Sequence, residues 1–269
     1  MRAKRPALQQ RDRAVAAGPS QLVVGRRLGL ARRLSKLGVC SRSEAERRIR
    51  GGRVSVGSRV VNDPEHPTVD GGPQITIDGI ALVAVERCCL MLNKPRGLTT
   101  TTADERGRET VYACLADPQL PWLAPVGRLD RASEGLLLFS NDPQWANAVT
   151  ASGGEVTKTY HVRIDRVADT ALLQSLRAGV EDRGDELRVL QASALATEQG
   201  QRRRWIELVL NEGRNRHIRR MLAALGVDVE RLIRVAIGPL QLGGLAKGQW
   251  RRLSQSEADS LAPSIVLRQ

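Results

Sequence analysis

Residues 124–140, APVGRLDRASEGLLLFS, place Asp130 between Arg128 and Arg131 on a short polar bridge between two apolar runs. Flanking guanidiniums favour the ionised carboxylate at neutral pH. An ionised Asp on a turn between buried strands can serve as nucleophile, general base or metal ligand. Gly127 and Gly135 bracket the turn, where glycine permits unusual backbone angles and close approach of a ligand. Metal binding and paired-carboxylate hydrolysis are the weaker fits. From these residues alone, a structural Asp–Arg pair suits the segment as well as a catalytic carboxylate does.

The elements that must position Asp130 are legible in the surrounding pattern. Residues 123–126 and 135–139 read as strands joined by the turn 127–134. In NDPQWANAVTASGG, Asn141 or Asp142 caps a helix with Pro143 in its first turn, and Gly153-Gly154 closes it. TYHVRI sets Tyr160, Val162 and Ile164 on one face and His161 and Arg163 on the other, as in a half-buried strand. Residues 204–210, RWIELVL, predict a further strand. NRHIRRMLAALG follows, with Ile218, Met221, Leu222 and Leu225 on one helical stripe, Arg216 and Arg220 opposite and Arg219 on the flank. Strands mixed with short helices make this part an α+β domain.

An N-terminal unit precedes it. Residues 1–27 are basic and predict a disordered tail. Leu30, Leu34 and Leu37 recur at helical spacing, Ser41 and Glu44 form a capping box, and Gly51-Gly52 stops a second helix. RVSV and RVV then read as strands joined by a Gly-Ser turn, and QITIDGI as one more strand. Arg42, Arg47, Arg48 and Arg53 lie on this unit, which suits an RNA-binding module and an ordinary amphipathic helix pair equally. The domains expected are thus residues 28–82 and 86–258, with a C-terminal tail over 259–269.

Composition narrows the partners. The 269 residues carry 42 Lys and Arg against 29 Asp and Glu, a net charge of +13, which points to a polyanion. No apolar run approaches the roughly 20 residues of a membrane span, so no membrane partner is expected. Cys40, Cys88, Cys89 and Cys114 form no C-x-x-C pair and the three histidines are dispersed, so no metal is expected. Cys88 and Cys89, in the run CCLML, read as buried apolar residues of a protein in the reducing cytoplasm. Aromatic residues are only 3%, which argues against a platform stacking several bases. The Thr-rich loop TTTTADERGR reads as a polar element, either facing RNA or merely flexible.

Four segments in order resemble one known family. GRLDRASEGLLLFSND resembles the Gly-Arg-Leu-Asp signature of pseudouridine synthases of the RsuA/RluB type, which modify ribosomal RNA. LNKPRG (92–97) resembles their Lys-Pro-x-Gly motif, KTYHVRI (158–164) their Lys-x-Tyr motif, and NEGRNRHIRRML (211–222) their last, basic motif. The resemblance covers roughly residues 88–255. Residues 29–80 resemble the αL-type (ribosomal S-four-like) RNA-binding domain that often precedes the catalytic one. Ser133 stands where Thr is common, and His217 where Gln or another polar residue is usual.

The resemblance implies a catalytic domain built on a mixed, mostly antiparallel β-sheet with short helices. It implies isomerisation of a uridine without any cofactor, by a monomer. Asp130 matches the nucleophilic Asp, proposed either to attack covalently or to assist glycal formation. Tyr160 matches the Tyr that stacks on the target uracil and can help remove the C5 proton. Arg219 matches the basic residue that pairs with the Asp. Arg128 matches the arginine that fills the gap left by the flipped nucleotide, whose extrusion costs a few kcal/mol. Lys94, Arg131, Arg214 and Arg216 are expected to bind substrate, and Arg42, Arg47, Arg48 and Arg53 to bind RNA from the N-terminal domain. The expected substrate is ribosomal RNA, large-subunit RNA first and small-subunit RNA second. The rival of another class is a non-catalytic RNA-binding ribosome-assembly factor, and a DNA-binding regulator is more distant.

Overall fold

A computed structural model of the chain describes residues 27–83, 85–102, 104–151, 156–195 and 204–262. The expected N-terminal tail, except Arg27, and the Gly153-Gly154 helix stop lie outside these residues.

The N-terminal unit contains β1 (Leu28–Gly29), α1 (Leu30–Lys36), α2 (Arg42–Arg50), β2 (Val54–Val56), β3 (Arg59–Val60), β4 (Pro67–Thr68), β5 (Ile75–Ile77) and β6 (Ile80–Ala81). Leu30, Leu34, Ala45, Ile49 and Val54 close a small core between the two helices and the sheet. Ser41 caps α2 by accepting the Glu44 N–H at 3.1 Å. Only half of the expected capping box forms, because the Glu44 carboxylate turns outward to Arg47 and to Arg48, at 2.7 Å. QITIDGI is two strands rather than one: Asp78 (φ +53°) and Gly79 turn β5 back into β6.

The second unit continues with β7 (Cys89–Lys94), a 3₁₀ turn (Val111–Cys114), β8 (Ala124–Val126), β9 (Glu134–Ser140), α3 (Pro143–Thr150) and β10 (Lys158–Ile164). It then runs through α4 (Thr170–Ala178), the hairpin β11 (Val180–Asp182) and β12 (Asp185–Leu187), β13 (Gln191–Ala194), β14 (Trp205–Leu210) and α5 (His217–Ala224). It ends with β15 (Val229–Ile237), β16 (Leu240–Gln241), β17 (Trp250–Arg252) and α6 (Gln255–Leu261). One mixed sheet runs in the order β13-β14-β10-β15-β9-β7-β17, with β8 paired to β9 and β16 to β15. The fold is α+β. Among the described residues no helix is long and apolar enough to cross a membrane.

Two half-sheets meet at a single parallel contact, where Ile233 and Arg234 of β15 pair with Glu134 and Gly135 of β9. In one half, β9 is buried on both faces. Leu136 and Leu138 pack with Trp145 of α3 and Leu261 of α6, while Leu137 and Phe139 pack with Val111 and Leu129. In the other half, Val162, Ile164, Ile206 and Leu208 lie under α4 and α5. The packed unit extends past residue 258, since Leu261 and Ala262 are buried, so the C-terminal tail cannot begin at 259. Asp142 caps α3 by accepting the N–H groups of Gln144 at 2.8 Å and Trp145 at 3.2 Å. Asn141 instead ties the inter-domain connection down, accepting from Cys88 N–H and donating to the Glu86 carbonyl, both at 2.8 Å.

Candidate active site

The turn carrying Asp130 leads straight into the seam between the half-sheets. Gly135 (φ +100°) sits there so close to β15 that a Cβ would come within 2.8 Å of the Arg234 nitrogen and overlap its carbonyl. Only glycine fits that approach. Glu134 fastens the same point from the side. Its carboxylate, 5% exposed, accepts from Arg231 at 2.8 and 3.0 Å and pairs with Lys247 at 2.7 Å. Burial pushes this carboxyl up, but the hydrogen bonds from Arg231 and Lys247 outweigh it and hold the group at about 2.

Beneath the turn lies Lys94, with no exposed surface. Its ammonium donates to the carbonyls of Ser133 at 2.9 Å, Pro95 at 3.0 Å and Asp130 at 3.3 Å. Burial draws Lys94 down to about 8, against the raising pull of Asp130 and Glu134. Expected as a substrate contact, Lys94 instead holds the backbone of the turn from behind. The Thr-rich loop also serves this turn, since the Thr100 hydroxyl donates to the Leu129 carbonyl at 2.7 Å.

A cleft of about 790 Å³ opens at the seam. Gly127, Arg128, Asp130 and Ser133 line it from the turn, Lys158 and Tyr160 from β10, residues 211–219 from the loop into α5, and Leu232 and Arg234 from β15. Asp130, Tyr160, Arg219, Arg128, Arg214 and Arg216 are therefore brought together. Arg131 is not: it turns back to donate to the Gly97 carbonyl at 2.8 Å. Neighbouring helices explain why Tyr160 faces the opening. Along β10 the inward face runs from Ile164 and Val162, covered by the helical layer, to Tyr160 and Lys158, where that cover stops.

Arg219 does not bond the Asp130 carboxylate directly. Its Nη1 donates to the Val229 carbonyl and its Nη2 to the Ala132 carbonyl, each at 3.2 Å. Burial lowers the Arg219 guanidinium from the ordinary arginine range, Arg216 adds to this, and the Asp130 charge opposes it. The coupling to Asp130 is thus through space, and the expected ion pair is corrected to a charge held beside the turn. At the rim, Arg128 and Arg216 are exposed, and their guanidiniums carry no bond partner among the described residues. Arg214 bridges Glu212 at 3.2 Å and Asp185 at 3.0 Å, tying the loop to the β11–β12 hairpin. His217 is buried beside the cleft, and burial lowers its imidazole, the Glu212 carboxylate 3.7 Å away opposing.

In the N-terminal unit each expected arginine already has a carboxylate. Arg42 meets Glu65 at 3.1 Å, Arg47 and Arg48 share Glu44, and Arg53 grips Asp78 at 2.8 and 2.6 Å. Exposed Arg32, Lys36 and Arg59 carry no such partner among the described residues.

Two residues of the cleft, Lys158 and Arg234, and one that fastens its seam, Glu134, were not singled out from the sequence. Glu134 lies four residues after Asp130 but looked like part of the turn. Lys158 stands inside the quoted Lys-x-Tyr motif. Arg234 had the clearest signal, because the alternation of VERLIRVAI puts it on the inward face with Leu232, where an unpaired arginine is unusual.

The RNA pseudouridylate synthase family matches residues 89–224, and the S4 domain family matches residues 28–68. Ribosomal large subunit pseudouridine synthase B of Bacillus subtilis is 33% identical over 229 residues, covering 85% of this chain and 93% of that protein. The protein of the same name from Shigella flexneri is 37% identical over 247 residues, covering 87% of this chain and 82% of its own. Among solved structures, a crystal structure of a pseudouridylate synthase aligns with a TM-score of 0.61 at 28% identity, covering 87% of this chain and 99% of that one.

Proposed function

Because the chain belongs to the RNA pseudouridylate synthase family, we propose that its cleft isomerises one uridine of large-subunit ribosomal RNA, with Asp130 as the nucleophilic residue. The reaction breaks the bond between N1 of uracil and C1′ of ribose, turns the base and joins C5 to C1′. The C5 proton is lost and N1 gains one, so the product is an isomer and no cofactor is consumed.

The observation that carries this reading is the shared cleft: Asp130, Tyr160, Arg219 and Arg128 line it together. Asp130 supplies the negative charge that C1′ demands as N1 departs. Half-buried Arg219, held by the Val229 and Ala132 carbonyls, sets its positive charge beside the turn that carries Asp130. Half-buried Tyr160 packs against the core on one side and presents its ring to the flipped uracil on the other. Arg128, exposed and unpaired, enters the RNA stack, while Arg214 and Arg216 meet phosphates at the rim. The two relatives named for the large ribosomal subunit favour that RNA over the small-subunit one. No observation favours the non-catalytic alternative. Acting on ribosomal RNA as a monomer, the enzyme works in the cytoplasm, where its thiols stay free.

Mapping pseudouridines in ribosomal RNA from a deletion strain tests this. One large-subunit site disappears, wild-type chain restores it, and Asp130→Asn does not. Restoration by Asp130→Asn would overturn the assignment of Asp130, and loss of a small-subunit site would overturn the target.

A further inference from the structure

The floor of the cleft holds two cations without an anion. Arg234 is 5% exposed, and only its Nε is bonded, to the Leu136 carbonyl at 2.7 Å. Its Nη2 is buried with no partner, and no carboxylate lies in ion-pair reach among the described residues. Across the strands Arg234 pairs with Tyr160, so both side chains stand on the same face of the sheet. Lys158, two residues along β10 from Tyr160, projects to that face as well and lines the same cleft. Burial and the neighbouring Arg234 charge both lower its ammonium. A buried guanidinium with unmet donors beside a second cation is costly unless the ligand brings negative charge.

Depth decides which part of an RNA that is. A flipped nucleotide enters base first, and its phosphates stay at the rim with exposed Arg128 and Arg216. The floor beside Tyr160 therefore receives the uracil. Uracil is neutral when bound, but when the N1–C1′ bond breaks, its electron pair stays on N1 and spreads to O2 and O4. Resting on the uridine-isomerising function proposed above, we propose that Arg234, supported by Lys158, donates hydrogen bonds to the uracil carbonyl oxygens and stabilises the uracil anion while it is detached. No proton changes hands in this step. The charge disappears when C5 joins C1′, the C5 proton leaves and N1 is protonated. The same contact retains the free base in the cleft while it turns. Donors placed where charge develops act mainly on the chemical step.

The test compares two substrates under single turnover, uridine RNA and the same RNA carrying 5-fluorouridine at the target. Fluorine at C5 acidifies N1, so the departing anion needs less help from the protein. Disappearance of the target nucleoside from nuclease digests reports bond cleavage in both. Arg234→Gln is expected to slow uridine cleavage about 10²-fold, to leave RNA affinity within twofold, and to slow 5-fluorouridine cleavage by a clearly smaller factor. Should Arg234→Gln fail to fold by circular dichroism, Arg234→Lys is read by the same criterion. Equal loss on both substrates, unchanged cleavage, or weakened RNA binding with a smaller salt slope would overturn the proposal, the last by making Arg234 a phosphate contact. Asp130→Asn is the control. If it cleaves at the wild-type rate, the assignment of Asp130 fails, and if the wild-type chain leaves the uridine RNA uncleaved, the parent function fails, whereas an inert Asp130→Asn beside an unimpaired Arg234→Gln rejects this inference alone.

Discussion

Asp130 owes its position to neighbours that do not line the cleft. Lys94 is buried without a carboxylate bond and satisfies three carbonyls, two of them in the turn that carries Asp130. Lys94→Met is expected to lower unfolding free energy by about 2–4 kcal/mol, since buried carbonyls are left unmet, and urea denaturation measures it. Glu134 gives a pH signature. Its folded-state carboxyl titrates at about 2 against an ordinary 4.5, so the unfolded chain binds the proton first as pH falls. The stability Glu134 contributes is complete above about 4.5 and is lost as pH drops towards about 2. Glu134→Gln should flatten that part of the acid-unfolding curve, and an unchanged curve would show that the pairing contributes nothing. The family resemblance singled out Asp130, Tyr160 and Arg219 before any fold was known, and the fold brings the three to one cleft. The resemblance misassigned Lys94, because a lysine in a turn motif looks the same whether it faces solvent or the underside of the turn.

Strand and helix identity were largely legible, since period-2 and period-3.6 patterns report local burial. The strands expected over 159–164 and 204–210 appear as β10 (Lys158–Ile164) and β14 (Trp205–Leu210), and residues 217–224 bury Ile218, Met221 and Leu222. What local pattern does not carry is pairing between distant strands. The parallel seam joins residues about 100 positions apart, β9 to β15, and with it come the Arg234 approach to Gly135 and the Glu134–Arg231 pair. That seam is the element on which the cleft depends. Gly135→Ala is expected to destabilise the fold by about 3 kcal/mol, combining a positive-φ penalty with overlap against β15. Thermal unfolding reads this, and a stability equal to wild type would contradict the seam's geometry. The half-formed capping box at Ser41 has a similar origin. Glu44 could satisfy either the Ser41 backbone or two arginines one turn away, and the arginines win.

At the scale of the molecule, the +13 charge is divided between two tasks. The cleft keeps Arg128, Arg216, Lys158 and Arg234 free of carboxylates, whereas the N-terminal unit pairs Arg42, Arg47, Arg48 and Arg53 with its own acids. Exposed pairs of that kind are weak and yield to phosphate. Removing residues 1–80 should therefore weaken RNA binding and reduce the salt slope by about 0.7–0.9 for each phosphate no longer neutralised. An unchanged slope in salt-dependent binding assays would mean that this unit does not meet RNA. Single changes at Arg32 or Lys36, which are unpaired, should weaken binding more than a change at Arg53. The charge excess forecast a polyanion partner, but it could not tell free cations from neutralised ones, which only the folded arrangement separates. The central claim, that this cleft performs the isomerisation through Asp130, is met most directly by release of the C5 proton. Purified chain acting on ribosomal RNA labelled with tritium at uracil C5 should release tritium equivalent to one site per large-subunit RNA, and Asp130→Asn should release none. Tritium release by Asp130→Asn at the wild-type rate would contradict the account.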